Sequence, residues 1–245
     1  MQTVTSRHNP TYKALSDLKK DKGVMLLEGK RLVEDALSRG ITPRILATTD
    51  AYLMAQGPLP SPHVVLSDRL FASIAETQTP QGILAFFDIP WADIHQIMEE
   101  DRVVILDGLQ DPGNVGTIVR TAEAFGFSGM ILIRDTANPF SPKAIRSSMG
   151  SCLGIRIAKG SIDDLKVLPH RILSLVPHGR TRLSAGLFDP KVAICLGQEA
   201  GGISPEIVEM SHETVYIPMG GRTESLNVAV AAGIVMSCAS GLLAR

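Results

Sequence analysis

The chain has 245 residues, 44% of them hydrophobic but only 4% aromatic, and a net charge of −1. That is enough sequence for one large α/β domain or two modest ones with aliphatic cores. No apolar run reaches the ~20 residues of a bilayer span, and three cysteines without a CxxC pair argue against a disulfide framework or a structural zinc site.

The first ten residues are polar and lack the apolar core of a secretory signal, so the expected compartment is reducing and cytoplasmic. Charge is uneven: residues 1–44 carry nine Lys/Arg and five Asp/Glu, an excess of four positive charges. Such a density fits either a solvated helical face or an anion-binding surface.

In chain order, Asn9–Lys20 has helical apolar spacing at Tyr12, Leu15 and Leu18. Val24–Leu27 reads as a short buried strand. Lys30–Arg39 is a helix with Leu32, Val33, Ala36 and Leu37 on one face and Gly40 closing it. Strands are expected at Ile45–Ala47, Val64–Leu66 and Gly82–Phe87, with a Pro- and Gly-rich loop from Gly57 to Pro62. Residues 1–90 therefore form a small α/β domain, and residues 91–101 a linker bearing a short helix.

From residue 102 to 245 a second α/β domain follows. Its strand candidates are Val103–Leu106, Met130–Ile133, Ile172–Leu175, Val192–Leu196 and Val215–Ile217. Each is a continuous apolar run, as in a parallel sheet buried on both faces. Helical stretches alternate with them at Gly116–Ala124, Ser141–Ser148 and Leu226–Leu243.

Three loops at the carboxyl ends of these strands carry the chemistry. The first, Asp107–Gly116, opens a helix whose backbone amides suit an anion or a polar ligand. Arg120 follows amid Ile118, Val119 and Ala122, where a guanidinium needs a partner. That partner is either an acid such as Asp111 or Glu123, or a phosphate. The second loop, Gly197–Pro205, lies where open α/β sheets bind ligands. Glu199 there orients a hydroxyl, fixes an amide or caps the next helix. The third, Ile217–Asn227, has Gly220 and Gly221 for close backbone approach, and Ser225 and Asn227 where the last helix begins. None has the spacing of a dinucleotide fingerprint or a P-loop, and no clustered His/Cys set suggests a metal.

Taken together, these loops resemble the SpoU/TrmH branch of the SPOUT superfamily, the S-adenosylmethionine-dependent RNA ribose 2′-O-methyltransferases. Asp111, Pro112, Asn114, Gly116, Arg120 and Ala122 match its first motif. Gly197, Glu199, Gly202 and Ile203 match the second, and Ile217 to Val228 the third. Lys143 to Ser151 looks like a further family segment. Ser6–Asn9, Leu27–Gly29 and Thr79–Ile83 look like the ribosomal-protein-like substrate-binding domain often fused to these enzymes, although Asp21-Lys22-Gly23 replaces part of a basic pair.

The resemblance implies an α/β fold with a deep C-terminal trefoil knot, an exception to the rule against threaded chains. It implies S-adenosylmethionine held by Gly197, Ile217, Met219 and Leu226, with no metal and no membrane. The implied catalytic set is Arg120, Asn114, Glu199, Ser225 and Asn227, with Arg120 better suited to clamp a phosphate than to act as a base. The implied partners are RNA, ribosomal rather than transfer RNA because a folded N-terminal domain is present, and a second copy of the chain. A transfer-RNA methyltransferase and an inactive RNA-binding homologue are the alternatives. A Rossmann-type enzyme would need the glycine fingerprint that is absent.

Overall fold

The structure, a computed structural model, describes residues 3–59, 62–188, 191–223 and 225–242. Part of the loop expected at Gly57–Pro62, Glu224 of the third motif, and the Leu243 end of the last helix lie outside the described residues. The chain divides into two compact units: residues 1–89 with 140–142, and 90–139 with 143–245.

The first unit starts with α1 (Pro10–Leu18). Asn9 caps it by accepting the Thr11 amide at 2.8 Å, and Pro10 occupies the first position, where no amide is needed. Strand β1 (Val24–Glu28), α2 (Lys30–Ser38), β2 (Ile45–Thr49), α3 (Asp50–Gln56), β3 (Val64–Leu66), α4 (Asp68–Ile74) and β4 (Ile83–Asp88) follow. The sheet order is β1-β4-β2-β3, with β4 antiparallel to both neighbours and β2 parallel to β3. Leu15, Leu26, Leu66, Phe71 and Phe86 form its core. The seven-residue helices α3 and α4 are too short to show a period. Their signals are the extended residues Thr49 and Ser67, each followed by an aspartate in the first turn.

The second unit contains α5 (Ile94–Met98), β5 (Arg102–Asp107), α6 (Pro112–Ala124), β6 (Gly129–Ile133), all of α7 (Pro142–Ser148) after its first residue, β7 (Arg156–Lys159) and α8 (Ile162–Lys166). It continues with β8 (Arg171–Leu175), β9 (Thr181–Arg182), β10 (Val192–Gly197), α9 (Pro205–Met210), β11 (Glu213–Tyr216) and α10 (Val228–Ser240). All seven strands pair in parallel, in the order β7-β6-β5-β10-β8-β11-β9. The α/β reading with a mainly parallel sheet thus holds.

Several boundaries differ for identifiable reasons. Residues 91–101 do not form a linker: Ile97 is fully buried in the second core, with Ile94 and Met98 packed beside it, and Trp91 bridges to Ile157. Helix α6 begins four residues earlier than its apolar pattern, because Asp111 caps it and Pro112 starts it. Strands β7 and β9 are short and have polar ends, so they gave no apolar run. The three cysteines are free, and Cys152 and Cys195 are buried. Among the described residues no helix is long and apolar enough to cross a membrane.

Gly116 marks the tightest helix contact near the first motif. A Cβ there would lie 2.3 Å from the Ala144 carbonyl oxygen and 2.7 Å from Ser147 Cβ, so α6 and α7 touch backbone to backbone. Gly116→Ala is expected to cost roughly 1–3 kcal/mol through overpacking, although alanine has the higher helix propensity. Urea denaturation checks this, and an unchanged midpoint would contradict the contact.

Candidate active site

The parallel order brings the carboxyl ends of β10, β8 and β11 side by side. A cleft of about 430 Å³ opens there, lined by Leu175–Pro177 after β8, Leu196–Ala200 with Gly202 after β10, and Ile217 and Met219 after β11. Ser225 to Val228 and Ala231 close it from the start of α10. All four residues expected to hold a cofactor, Gly197, Ile217, Met219 and Leu226, line this cleft, and so do Glu199, Ser225 and Asn227. Leu175, Val176 and Pro177 were not foreseen. They lie far from every motif in sequence, and only the pairing of β8 with β10 and β11 brings them in.

Gly197 is required by geometry. A Cβ on it would sit 2.2 Å from the Gly202 carbonyl carbon and 2.3 Å from the Ile203 nitrogen, so the loop folds back onto its own strand. Gln198 and Gly202 close that turn, with the Gly202 amide donating to the Gln198 carbonyl at 2.9 Å. Gly220 and Gly221 behave differently from the expectation of close approach: a Cβ on either meets nothing within 4 Å. The glycine that the packing demands is in the second motif, not the third.

One chain of side-chain hydrogen bonds joins the three motifs. Asn227 caps α10 by accepting the Ala229 and Val230 amides at 2.9 and 3.3 Å. Its Nδ2 donates to Asn114 Oδ1 at 3.2 Å, and Asn114 Nδ2 donates to Glu199 Oε1 at 2.5 Å. Glu199 therefore fixes an amide of the first motif and does not cap the next helix, whose cap residue is Ser204. Asp111 caps α6 through the Asn114 amide and pairs with Lys143 from α7. The Lys143 ammonium holds the Asp111 carboxyl below the usual carboxylate range.

Arg120 is placed otherwise than its apolar neighbours suggested. It is exposed, while Ile118, Val119 and Ala122 are buried on the other face of α6. Its charge is thus hydrated rather than costly, and it needs no anion to offset burial. Among the described residues neither Asp111 nor any other acid forms an ion pair with it. At 3.6 residues per turn, Arg120 stands about 120° around α6 from Asn114 and about 9 Å further along the axis. The Asn114–Glu199–Asn227 chain does not extend to Arg120.

Beneath the cleft, Asp107 at the end of β5 is fully buried. One oxygen accepts the Ser204 amide at 2.7 Å, and the other meets Arg134 Nε at 2.5 Å. A buried carboxylate is tolerable with such partners. Asp107 also faces Gly197 in the sheet register, so it ties the second loop to the end of β5. Arg134 has φ of 53°, which a side chain rarely adopts.

Comparison with known proteins agrees with this geometry. Residues 101–237 match the SpoU rRNA methylase family, and residues 9–85 match the MRM3-like substrate binding domain. The 23S rRNA (guanosine(2553)-2′-O)-methyltransferase RlmP of Bacillus subtilis is 32% identical over 216 residues, covering 86% of each chain. The 23S rRNA (uridine(2479)-2′-O)-methyltransferase of Streptomyces viridochromogenes is 28% identical over 71% of this chain and 65% of its own length. The crystal structure of an AdoMet-bound rRNA methyltransferase from Sinorhizobium meliloti superposes with a TM-score of 0.80 at 30% identity, covering 96% of this chain and 95% of that one.

Asn227 both caps a helix and donates to Asn114, and two substitutions separate these roles. Asn227→Ala loses the cap and should cost about 1 kcal/mol. Asn227→Asp keeps a capping oxygen but loses the amide donor, so its unfolding midpoint should stay near wild type. Thermal unfolding of the two variants checks this, and equal losses would show that the Asn114 bond carries the stability.

Proposed function

We propose that this chain, which belongs to the SpoU rRNA methylase family, transfers the methyl group of S-adenosylmethionine to a ribose 2′-hydroxyl of RNA, and that its substrate is ribosomal RNA. The observation that carries this reading is the junction of the three motifs at one cleft through Asn114, Glu199 and Asn227. The cleft's volume falls in the range of small-molecule sites. Its mix of apolar walls and exposed main chain at Gly197 and Gln198 fits a nucleoside bearing an apolar thioether arm. Gly197, Ile217, Met219 and Leu226 would hold that cofactor. Bound there, it supplies a methyl group already activated on a sulfonium.

The residues of the chain then have to position the ribose and relieve the hydroxyl of its proton. Arg120, exposed and without an acidic partner among the described residues, is the phosphate clamp in this reading. A guanidinium stays protonated, so it aligns the nucleotide and leaves the proton to the phosphate it grips. Asn114, Glu199 and Asn227 keep the loops in register, and Ser225, which lines the cleft, would contact the ribose. The first unit recognises RNA, the second transfers the methyl group, and the compartment is the cytoplasm. The trefoil threading belongs to the same proposal, supported by the insertion of β10 between β5 and β8, strands that precede it in the chain.

A homodimer is also proposed, from α10. This helix is apolar on all sides: Ala232, Val235 and Met236 are buried, yet Val230 and Ile234, one turn apart, are 53% and 39% exposed. A helix without a polar face is ordinarily covered all round, and a second copy is the cover this reading assigns. Ile234→Glu should convert a dimer to a monomer in sedimentation, and a wild-type chain that sediments as a monomer would overturn the assignment.

Two substitutions divide cofactor binding from transfer. Leu226→Arg, at a half-exposed cleft position, should abolish binding of S-adenosylmethionine in calorimetry. Gly197→Trp is a poorer probe, because its Cβ already collides with the loop backbone. Arg120→Ala should leave cofactor affinity unchanged while slowing single-turnover methylation about a hundredfold to a thousandfold, the usual loss for a positioned charged donor. Arg120→Lys should recover little of it, since a point charge lacks the two-pronged grip. Transfer by Arg120→Ala within about threefold of wild type would remove the clamp from the mechanism.

A further inference from the structure

The first unit contains a cavity of about 600 Å³ bounded by α2, α3, α4 and the turn that leads into β4. Its floor is packed tightly. Gly82, at φ +80°, admits no side chain, since a Cβ would stand 2.6 Å from Thr49 Oγ1 and 3.0 Å from Tyr52 Cβ. Two aromatic residues line that floor, Phe71 at 1% and Tyr52 at 6% exposure. The Tyr52 hydroxyl lies buried beneath that floor, without a hydrogen-bond partner among the described residues.

The rim is chemically one-sided. Gln81 Oε1 accepts the Lys30 amide at 3.0 Å, which gives α2 the cap that Gly29 cannot provide. Gln56 Oε1 accepts Lys30 Nζ at 2.7 Å. With both carboxamide oxygens engaged, the two side-chain NH₂ groups are left to donate, while the Lys30 ammonium also pairs with Glu34 at 3.9 Å. Asp68, in the first turn of α4, is the acceptor of the lining. The cavity thus offers several donors, one carboxylate and an apolar floor.

We propose, building on the RNA methyltransferase reading above, that this cavity receives a single unpaired nucleobase of the substrate RNA, and that it selects uracil and guanine, the bases with a ring carbonyl beside a ring N–H. Their ring carbonyls match the carboxamide donors of Gln56 and Gln81, and their ring N–H matches Asp68. Adenine has neither a ring carbonyl nor a ring N–H on its pairing edge. Only a base splayed out of a helix can enter, and unstacked bases in loops and bulges are what proteins read in RNA. The positive excess of residues 1–44 supplies the accompanying attraction for phosphate.

The test uses the full chain and fluorescein-labelled ten-residue oligouridylate and oligoadenylate, with binding read by anisotropy at low salt. Oligouridylate should bind at least about tenfold more tightly, the usual scale for one well-seated base. Ala55→Trp, at an exposed position of the cavity wall, should reduce oligouridylate affinity to that of oligoadenylate. Gln56→Leu, which removes a rim donor, should also weaken it severalfold. Gln56 is exposed at the end of α3, so the unfolding midpoint of that variant should stay near wild type, and lost affinity would not reflect misfolding. Both variants should keep wild-type affinity for S-adenosylmethionine in calorimetry. Equal binding of the two oligonucleotides, or undiminished oligouridylate binding by Ala55→Trp, would overturn the proposal. The anisotropy readout requires no methyl transfer. A wild-type chain inactive on every RNA would therefore count against the methyltransferase reading, while base selectivity would still be decided by the binding data.

Discussion

The Asn114 carboxamide is the point on which the cleft depends. It can accept with its oxygen and donate with its nitrogen, and both ends are used: Asn227 donates to the oxygen, and the nitrogen donates to Glu199. The residues so joined stand 113 and 85 positions away along the chain. A hydroxyl or a carboxylate at this position could not serve both partners in the same way, because an amide alone presents a fixed acceptor and a fixed donor side by side. Asp111 and Pro112 set the helix start that aims Asn114, and Lys143 holds Asp111 in turn.

The second constraint is the position of β10 between β5 and β8. Ligands in open α/β sheets gather at the carboxyl ends of strands. Here the inserted strand puts a motif-bearing end between two others, so three segments remote in sequence share one rim. Crowding at that rim explains the local chemistry. Gly197 yields its side chain so that the returning loop can pass. Asp107 supplies a buried acceptor for the Ser204 amide, and Arg134 balances the charge so introduced.

The two units differ in the chemistry of their cavities. In the second unit the charged groups of the site are few and tied to one another, leaving a largely apolar cleft with Arg120 on the adjoining helix face. In the first unit the cavity has an aromatic floor and a rim of amide and ammonium donors. A compact, mostly apolar ligand suits the former. A flat heterocycle attached to a polyanion suits the latter.

The sequence by itself determined the local elements and the chemical alphabet of the site. Continuous apolar runs announced β5, β6, β8 and β10 because strands buried on both faces need no polar alternation. The motif residues at 111–122, 197–203 and 217–228 were legible because caps, tight turns and strand ends demand particular residue types at fixed spacing. The interior of the fold decided the rest. Residues 91–101 resemble a linker until Ile97 is seen in the core, since burial depends on what lies opposite and not on the residue alone. Arg120 looked buried from its neighbours, yet helical geometry turns it to the other face. The requirement for glycine moved from Gly220 and Gly221 to Gly197, and the lining from Leu175 to Pro177 appeared only with the strand order. Each of these is a contact between segments far apart in the chain, and no local pattern encodes such a contact, because it arises only when the whole sheet has assembled.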